Sequence, residues 1–194
     1  MFKSNYFKLF MKLNKVEYGK NLNLYGVPVI FKKKGSQLNI GENCTIKSSF
    51  LSNLVGLSQR TIIVSRTKEA KINIGNNVGI SGATIYARKG ISIGDNTLIG
   101  GNVKIFDNDF HPIEVEARNI DDKDAIRTRE VVIGKDCFIG CNALILKGTK
   151  IGDGSVVGAG SVVCGEFPGG VVIAGNPARI INHIQWKIFI YRMK

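Results

Sequence analysis

The sequence predicts an all-β solenoid, a parallel coil of six-residue units interrupted by one charged loop and closed at each end by a short helix. Three observations predict it. Aliphatic residues recur every six positions through Ile133, Ile139, Ile145, Ile151, Val157 and Val163. Glycine follows four of them, as Gly134, Gly140, Gly152 and Gly158. A small or modest side chain stands four places after each of the first five, as Cys137, Ala143, Thr149, Ser155 and Ser161. A period of six matches neither the 3.6 of a helix nor an isolated hairpin. It suits a triangular prism in which each unit supplies one short strand and one corner. The aliphatic points inward, the glycine takes corner angles that other residues avoid, and the small residue fills the remaining interior. Three units close a turn, so residues 133–168 make two turns. Stacked turns supply the backbone partners that short strands lack alone.

Residues 1–20 place Phe2, Tyr6, Leu9, Phe10 and Leu13 at helical spacing, with Lys3, Lys8, Lys12 and Lys15 elsewhere. Two readings stand: a helix that caps the open end of the coil, or one that attaches peripherally to anionic lipid. The coil occupies residues 21–178. It begins faintly at Ile40-Gly41 with Cys44 and Ile46, and returns at Ile74-Gly75 and Ile80. From Ile74 to Ile93 there is one residue more than three units hold, which predicts a bulge near Arg88-Lys89-Gly90. Ile93-Gly94, Ile99-Gly100 and Ile105 continue the pattern. Between Ile105 and Ile133 it fails, and the charged segment 107–130 reads as a projecting loop. Residues 179–194 read as a helical tail over the opposite end, since an exposed coil edge invites aggregation.

Composition narrows the function. Twenty-three glycines with only 4 prolines indicate many regular turns rather than disorder. No apolar run approaches a membrane span, and residues 1–20 do not form a convincing leader, so the cytoplasm is the expected address. The net charge of +12 lies in the first 34 residues, at Arg127 and Arg129, and at the C-terminal end. It suits phosphorylated ligands, and no nucleic-acid-binding motif accompanies it. Cys44 and Cys137 occupy inward slots, and Cys44, Cys137, Cys141 and Cys164 lack paired zinc spacing, so no metal is expected.

Only two histidines occur. His111 lies in the loop and His183 in the tail. The segment Val103–Arg118, VKIFDNDFHPIEVEAR, resembles the loop of sugar and antibiotic O-acetyltransferases among the hexapeptide-repeat acyltransferases. The resemblance covers residues 74 to 181 and includes the closing run Val172–Ile180, VIAGNPARI. It implies a left-handed coil, usually trimeric, that moves an acetyl group from acetyl-coenzyme A onto a hydroxyl. Carried over, His111 is the general base, Pro112 stiffens the backbone beside it, and Arg118 is the loop arginine. Asp107 and Asp109 either orient the imidazole and bind the acceptor or merely form turns. Phe138 stands where relatives usually carry Trp, and Ser81 falls where they position the acceptor.

The resemblance also places Gly100, Cys141, Ala159 and Gly160 along the pantetheine arm, although corners demand small residues in any case. Arg179, with Lys187 and Arg192, is the candidate for the coenzyme phosphates. Where relatives carry Lys this chain has Gly165, and where they carry a second basic residue it has Asn182, which leaves Lys147 or Lys150 as substitutes. The expected partners are further copies of the chain, with active sites between them, and a sugar, nucleotide-sugar or lipid-linked saccharide of bacterial surface polysaccharide synthesis. An N-acetyltransferase acting on an amino sugar and a non-catalytic scaffold are the alternatives. A zinc enzyme on this coil needs three histidines around the metal, which the chain cannot supply.

Overall fold

The computed structural model describes residues 2–184. Helix α1 (Phe2–Leu13) leads into a left-handed parallel β-helix whose three faces are parallel sheets of seven, eight and six strands. Each of the first six coils contributes one strand to each sheet, the seventh reaches only the first two, and Ala178–His183 adds an antiparallel strand to the second. The fourth coil, for example, runs through Gly90–Ile93, Leu98–Ile99 and Lys104–Phe106. Inward residues stack in columns down the prism. On the first sheet Ile40, Ile74, Ile93, Ile133 and Ile151 lie in register. On the second, Ile46, Ile80, Ile99, Ile139, Val157 and Ile173 do so. On the third, Ile63, Ile85, Ile105, Ile145 and Val163 follow. All are buried, and they form the core with Cys44, Cys137, Val78 and Val103 in the small slots.

The corner glycines earn their places differently from the expectation. Positive φ falls two residues beyond the glycine, at Asn43, Asn77, Asn96 and Asp136, with values of 55–60°. Asparagine and aspartate tolerate that region better than most side chains. They also ladder between coils, as Asn77 Nδ2 donates to Asn96 Oδ1 and Asn96 Nδ2 to Asp136 Oδ1, both at 2.9 Å. The glycine itself is required by close approach. A Cβ on Gly94 would stand 2.6 Å from the backbone of Gly134 and Lys135 in the next coil. Gly160 is the opposite case, with φ of +70° and open space around it. Gly94→Ala is therefore expected to cost about 3 kcal/mol by overpacking backbone on backbone. Gly160→Ala should cost about 1 kcal/mol, from the left-handed angle alone. Thermal denaturation checks the order, and equal losses would show that close approach is not the constraint.

Three expected boundaries change. Helix α1 ends at Leu13, and Glu17–Tyr18 is already the first strand, so the cap is shorter than residues 1–20. The helix expected over 179–194 is a strand at its start: Ala178–His183 pairs antiparallel with Val171–Gly175 across a turn at Asn176-Pro177. The open edge of the second sheet is covered by backbone pairing, which an alternating apolar run provides as readily as a helix. Residues 185–194 lie outside the described residues. Finally, the repeat breaks at a place the spacing had not flagged. Ile63 stands seventeen positions after Ile46 where the repeat would put six, and 49–60 leave the coil with a 3₁₀ turn at Phe50–Ser52.

Candidate active site

The 107–130 loop is fixed at its base. The fully buried Asp107 carboxylate accepts backbone N–H groups from Arg88, Lys89 and Gly90 at 2.6–3.0 Å. Those three residues are the expected bulge, and Asp107 folds it. Asp107 is thus saturated by the coil below, which favours the turn-forming one of its two expected roles. Asn108 completes the knot. Its Nδ2 donates to Asp107 Oδ1 at 3.0 Å, and its Oδ1 accepts the Phe110 N–H at 2.9 Å. Across the neck, Arg129 N donates to Asp107 O at 2.8 Å and Asp109 N to Arg127 O at 3.2 Å.

His111 is presented at this neck. Phe110, at φ of 64°, turns its ring onto Tyr86 and Phe106, with both centroid distances 4.9 Å. His111 N donates to Asp109 O at 2.7 Å, and Pro112 beside it is buried, which leaves the imidazole exposed. Asp109 is turned inward: Oδ1 pairs with Lys147 at 2.5 Å, and Oδ2 is buried without a partner among the described residues. Lys147 is thereby committed to the loop rather than to a coenzyme phosphate. Arg118 also serves the loop. From helix α2 (Val115–Asn119) its Nη1 donates to Pro112 O at 3.3 Å and Ile113 O at 2.8 Å. The backbone N–H of Glu114 and the Arg127 guanidinium hold the Glu114 carboxyl below the ordinary range, and the Lys123 ammonium does the same for Asp121. The neck of the loop is laced together, and His111 at its base carries an exposed imidazole that makes no hydrogen bond among the described residues.

A separate cleft of about 390 Å³ runs along the second sheet. Ser81, Gly100 and Phe138 meet there, with Thr45, Lys47, Asn53, Asn77 and Leu98 in the same walls. Asn53 comes from the 49–60 excursion, and its Nδ2 donates to Ser81 Oγ at 3.1 Å. The signal that would have found it was the missing aliphatic between Ile46 and Ile63. His111 does not line this cleft. A larger, shallower groove on the first sheet, with Asn39, Asn73 and Ser92, contains none of the expected site residues.

Gly100, Cys141, Ala159 and Gly160 fall on one edge, the corners between the second and third sheets of three successive coils. Gly100 is held small by the backbone beneath it, since its Cβ would lie 2.7 Å from Ile139 O. Ala159 and Gly160 are exposed, with room beside them for an extended ligand. Arg179 is exposed on the final strand, and its Nη1 turns to Ala178 O at 2.8 Å. His183 ends that strand, exposed and opposite Val171, while Lys187 and Arg192 lie outside the described residues. Among the described residues no group of three or more His, Cys, Asp or Glu gathers as a metal site.

The cysteines divide by burial. Burial pushes the Cys44 and Cys137 thiols up from their ordinary value, so at neutral pH they stay protonated and inert. Cys164 is exposed. A thiol-reactive disulfide reagent is expected to modify Cys164 in the native protein and to reach Cys44 and Cys137 only after unfolding. Modification of either of those two in the folded coil would contradict their place in the core.

Comparisons with known proteins match this architecture. A family model described as bacterial transferase hexapeptide (six repeats) matches residues 130–165, and one described as hexapeptide repeat of succinyl-transferase matches residues 90–116. The chain is 34% identical over 176 residues to WbbJ of Escherichia coli (strain K12), provisionally named a lipopolysaccharide biosynthesis O-acetyl transferase. That match covers 88% of this chain and 83% of WbbJ. It is 42% identical over 91 residues to YvoF of Bacillus subtilis (strain 168), provisionally named an acetyltransferase. There it spans 47% of this chain and less than half, 46%, of the relative. Among solved structures, a galactoside acetyltransferase in complex with coenzyme A superposes with a TM-score of 0.58 at 27% identity. It covers 87% of this chain and 65% of that one.

Proposed function

This chain belongs to the hexapeptide-repeat bacterial transferases, and we propose that it transfers an acetyl group from acetyl-coenzyme A to a hydroxyl of a saccharide precursor, with His111 as general base. The observation that carries the proposal is the presentation of His111, an exposed imidazole on a loop whose neck is held in place by Asp107, Asn108 and the Asp109–Lys147 pair. An imidazole suits proton transfer near neutral pH because its unperturbed pKa is close to 6.5. Its role is to accept the hydroxyl proton as the oxygen attacks the thioester carbonyl, and to return that proton to the departing thiol. The coenzyme, when bound, supplies the activated acetyl group. The open corners at Ala159 and Gly160 fit an extended arm, and Ser81, Asn53, Asn77 and Thr45 in the cleft offer neutral hydrogen-bonding groups suited to sugar hydroxyls.

His111 and the cleft occupy different edges of one chain, so a working site requires a second copy. The outward face of the third sheet supports that association. Phe31, Ile62, Val64, Tyr86, Leu144 and Val162 point outward there, interrupted by Thr84 and Lys104, where the equivalent places on the first sheet carry Asn39, Asn73, Ser92 and Lys150 around the single apolar Val132. An apolar face on a solenoid favours burial between subunits. A trimer with three sites, each joining one copy's loop to its neighbour's cleft, accounts for both features. WbbJ's name points to bacterial surface polysaccharide as the setting.

The test is thiol release from acetyl-coenzyme A across a panel of sugars, nucleotide-sugars and amino sugars. Release that depends on a hydroxyl acceptor and yields a hydroxylamine-labile ester is expected. A hydroxylamine-stable amide would assign the amine reaction instead. Absence of both release and coenzyme binding would leave the coil a scaffold.

A further inference from the structure

Among the described side chains of helix α1, apolar residues fall on two sides, and only one side packs on the coil. Phe7 and Met11, one turn apart, pack onto the coil's core, and Met11 is fully buried. Capping the coil needs no more than that. Tyr6, Leu9 and Leu13, at i, i+3 and i+7, stand 75, 55 and 74% exposed on another side of the helix. Isolated apolar residues on a surface are ordinary, but an aligned stripe on a twelve-residue helix marks an interaction face.

The charge around the stripe is of one sign. No acidic residue precedes Glu17, and the first 34 residues carry eight lysines against that one glutamate. More than half of the chain's net +12 therefore lies in its first 34 residues. Lys8 and Lys12 adjoin the stripe on the helix, Lys15 and Lys20 follow it, and Lys32, Lys33 and Lys34 close the first coil beneath. A protein partner would need matching carboxylates. A second copy of α1 would bring lysine against lysine with no acidic residue on the helix to pair them. An anionic bilayer satisfies both halves of the surface at once, since apolar side chains enter the boundary of headgroup and acyl chain while lysines meet the phosphates. Among the described residues no helix is long and apolar enough to cross a membrane, so this contact lies in the interfacial plane.

We propose that the chain docks on anionic membrane through Tyr6, Leu9 and Leu13, held there by the surrounding lysines. The docking is independent of the acetyl-transfer reading. It places the coil's first turn toward the lipid and leaves the 107–130 loop, four coils on, away from it.

The experiment is flotation of the full chain with vesicles of phosphatidylcholine, with and without phosphatidylglycerol, at low and high salt. Binding is expected only with phosphatidylglycerol, and high salt should weaken it. The triple variant Tyr6→Ser/Leu9→Ser/Leu13→Ser should bind at least about tenfold more weakly, because the apolar area is lost while every lysine remains. Lys8→Glu/Lys12→Glu, which keeps the stripe, should also lose binding. Failure of the unaltered chain to float with phosphatidylglycerol overturns the proposal. So does a triple variant that binds as well as the parent, or one whose mass in solution falls, which would make the stripe a contact between copies.

Discussion

Replacing His111 with alanine is expected to lower kcat by about 10²-fold or more while leaving stability nearly unchanged. The two halves of that result come from one geometry. The imidazole is exposed and makes no hydrogen bond among the described residues, whereas the His111 backbone N–H, which the substitution keeps, donates to Asp109 O. Pro112, Phe110 and the Asp109–Lys147 pair hold the neck without it. An exposed residue of this kind usually changes stability by no more than about 0.5 kcal/mol. Coenzyme affinity should also persist, since the contacts proposed for the pantetheine arm come from Gly100, Cys141, Ala159 and Gly160 rather than from the imidazole. Turnover equal to that of the parent protein would remove His111 from the chemistry. Mixing sharpens the test. If the histidine and the cleft come from different copies, His111→Ala refolded with a cleft-blocked chain such as Ser81→Trp should recover part of the activity that each lacks alone. No recovery would place both halves of the site within one chain.

The coil was legible because its signal is repeated. Every six residues the same demand for an inward aliphatic returns, so the columns could be read from Ile93 to Ile105 and from Ile133 to Val163, whereas Ile63 and Ile85, beyond the excursion at 49–60, were not found. The reason for the glycines was not legible. Spacing marks that a corner is crowded, but whether the constraint is a backbone angle or the coil beneath depends on stacking that one unit cannot show. The C-terminal strand was misread for a related cause. RIINHI has apolar residues that satisfy either a helical or an alternating pattern, and the vacant edge beside Val171–Gly175 decides between them. His111 stood out because histidine is rare here and the His-Pro pair falls at a break. Asn53 did not, since an asparagine in an exposed loop is ordinary until its contact with Ser81 is seen.

Of the two readings the sequence left open for Asp107 the structure favours the turn, and its replacement should give the largest loss of stability at the site. Asp107→Ala orphans the buried N–H of Gly90 and the part-buried N–H groups of Arg88 and Lys89, all donated to one carboxylate. Each buried donor left unpaired costs about 1–3 kcal/mol, and bonds to a charged acceptor sit at the upper end. Partial relaxation and water entry reduce the sum, so an overall loss of about 3–5 kcal/mol is expected, visible as a fall in Tm of roughly 10 °C or more. Asp107→Asn should lose less. An amide oxygen in the Oδ2 position still accepts Lys89 and Gly90, while its NH₂ faces the donors Arg88 N and Asn108 Nδ2. Activity should fall with stability in both variants, because the same knot sets the start of the loop four residues before His111. That ordering distinguishes Asp107 from an acceptor-binding group. An acceptor ligand would raise KM and spare Tm, whereas a residue that folds the bulge lowers Tm in the order Ala, then Asn, before any substrate is present. An unchanged Tm in Asp107→Ala would return the residue to the acceptor's side of the site.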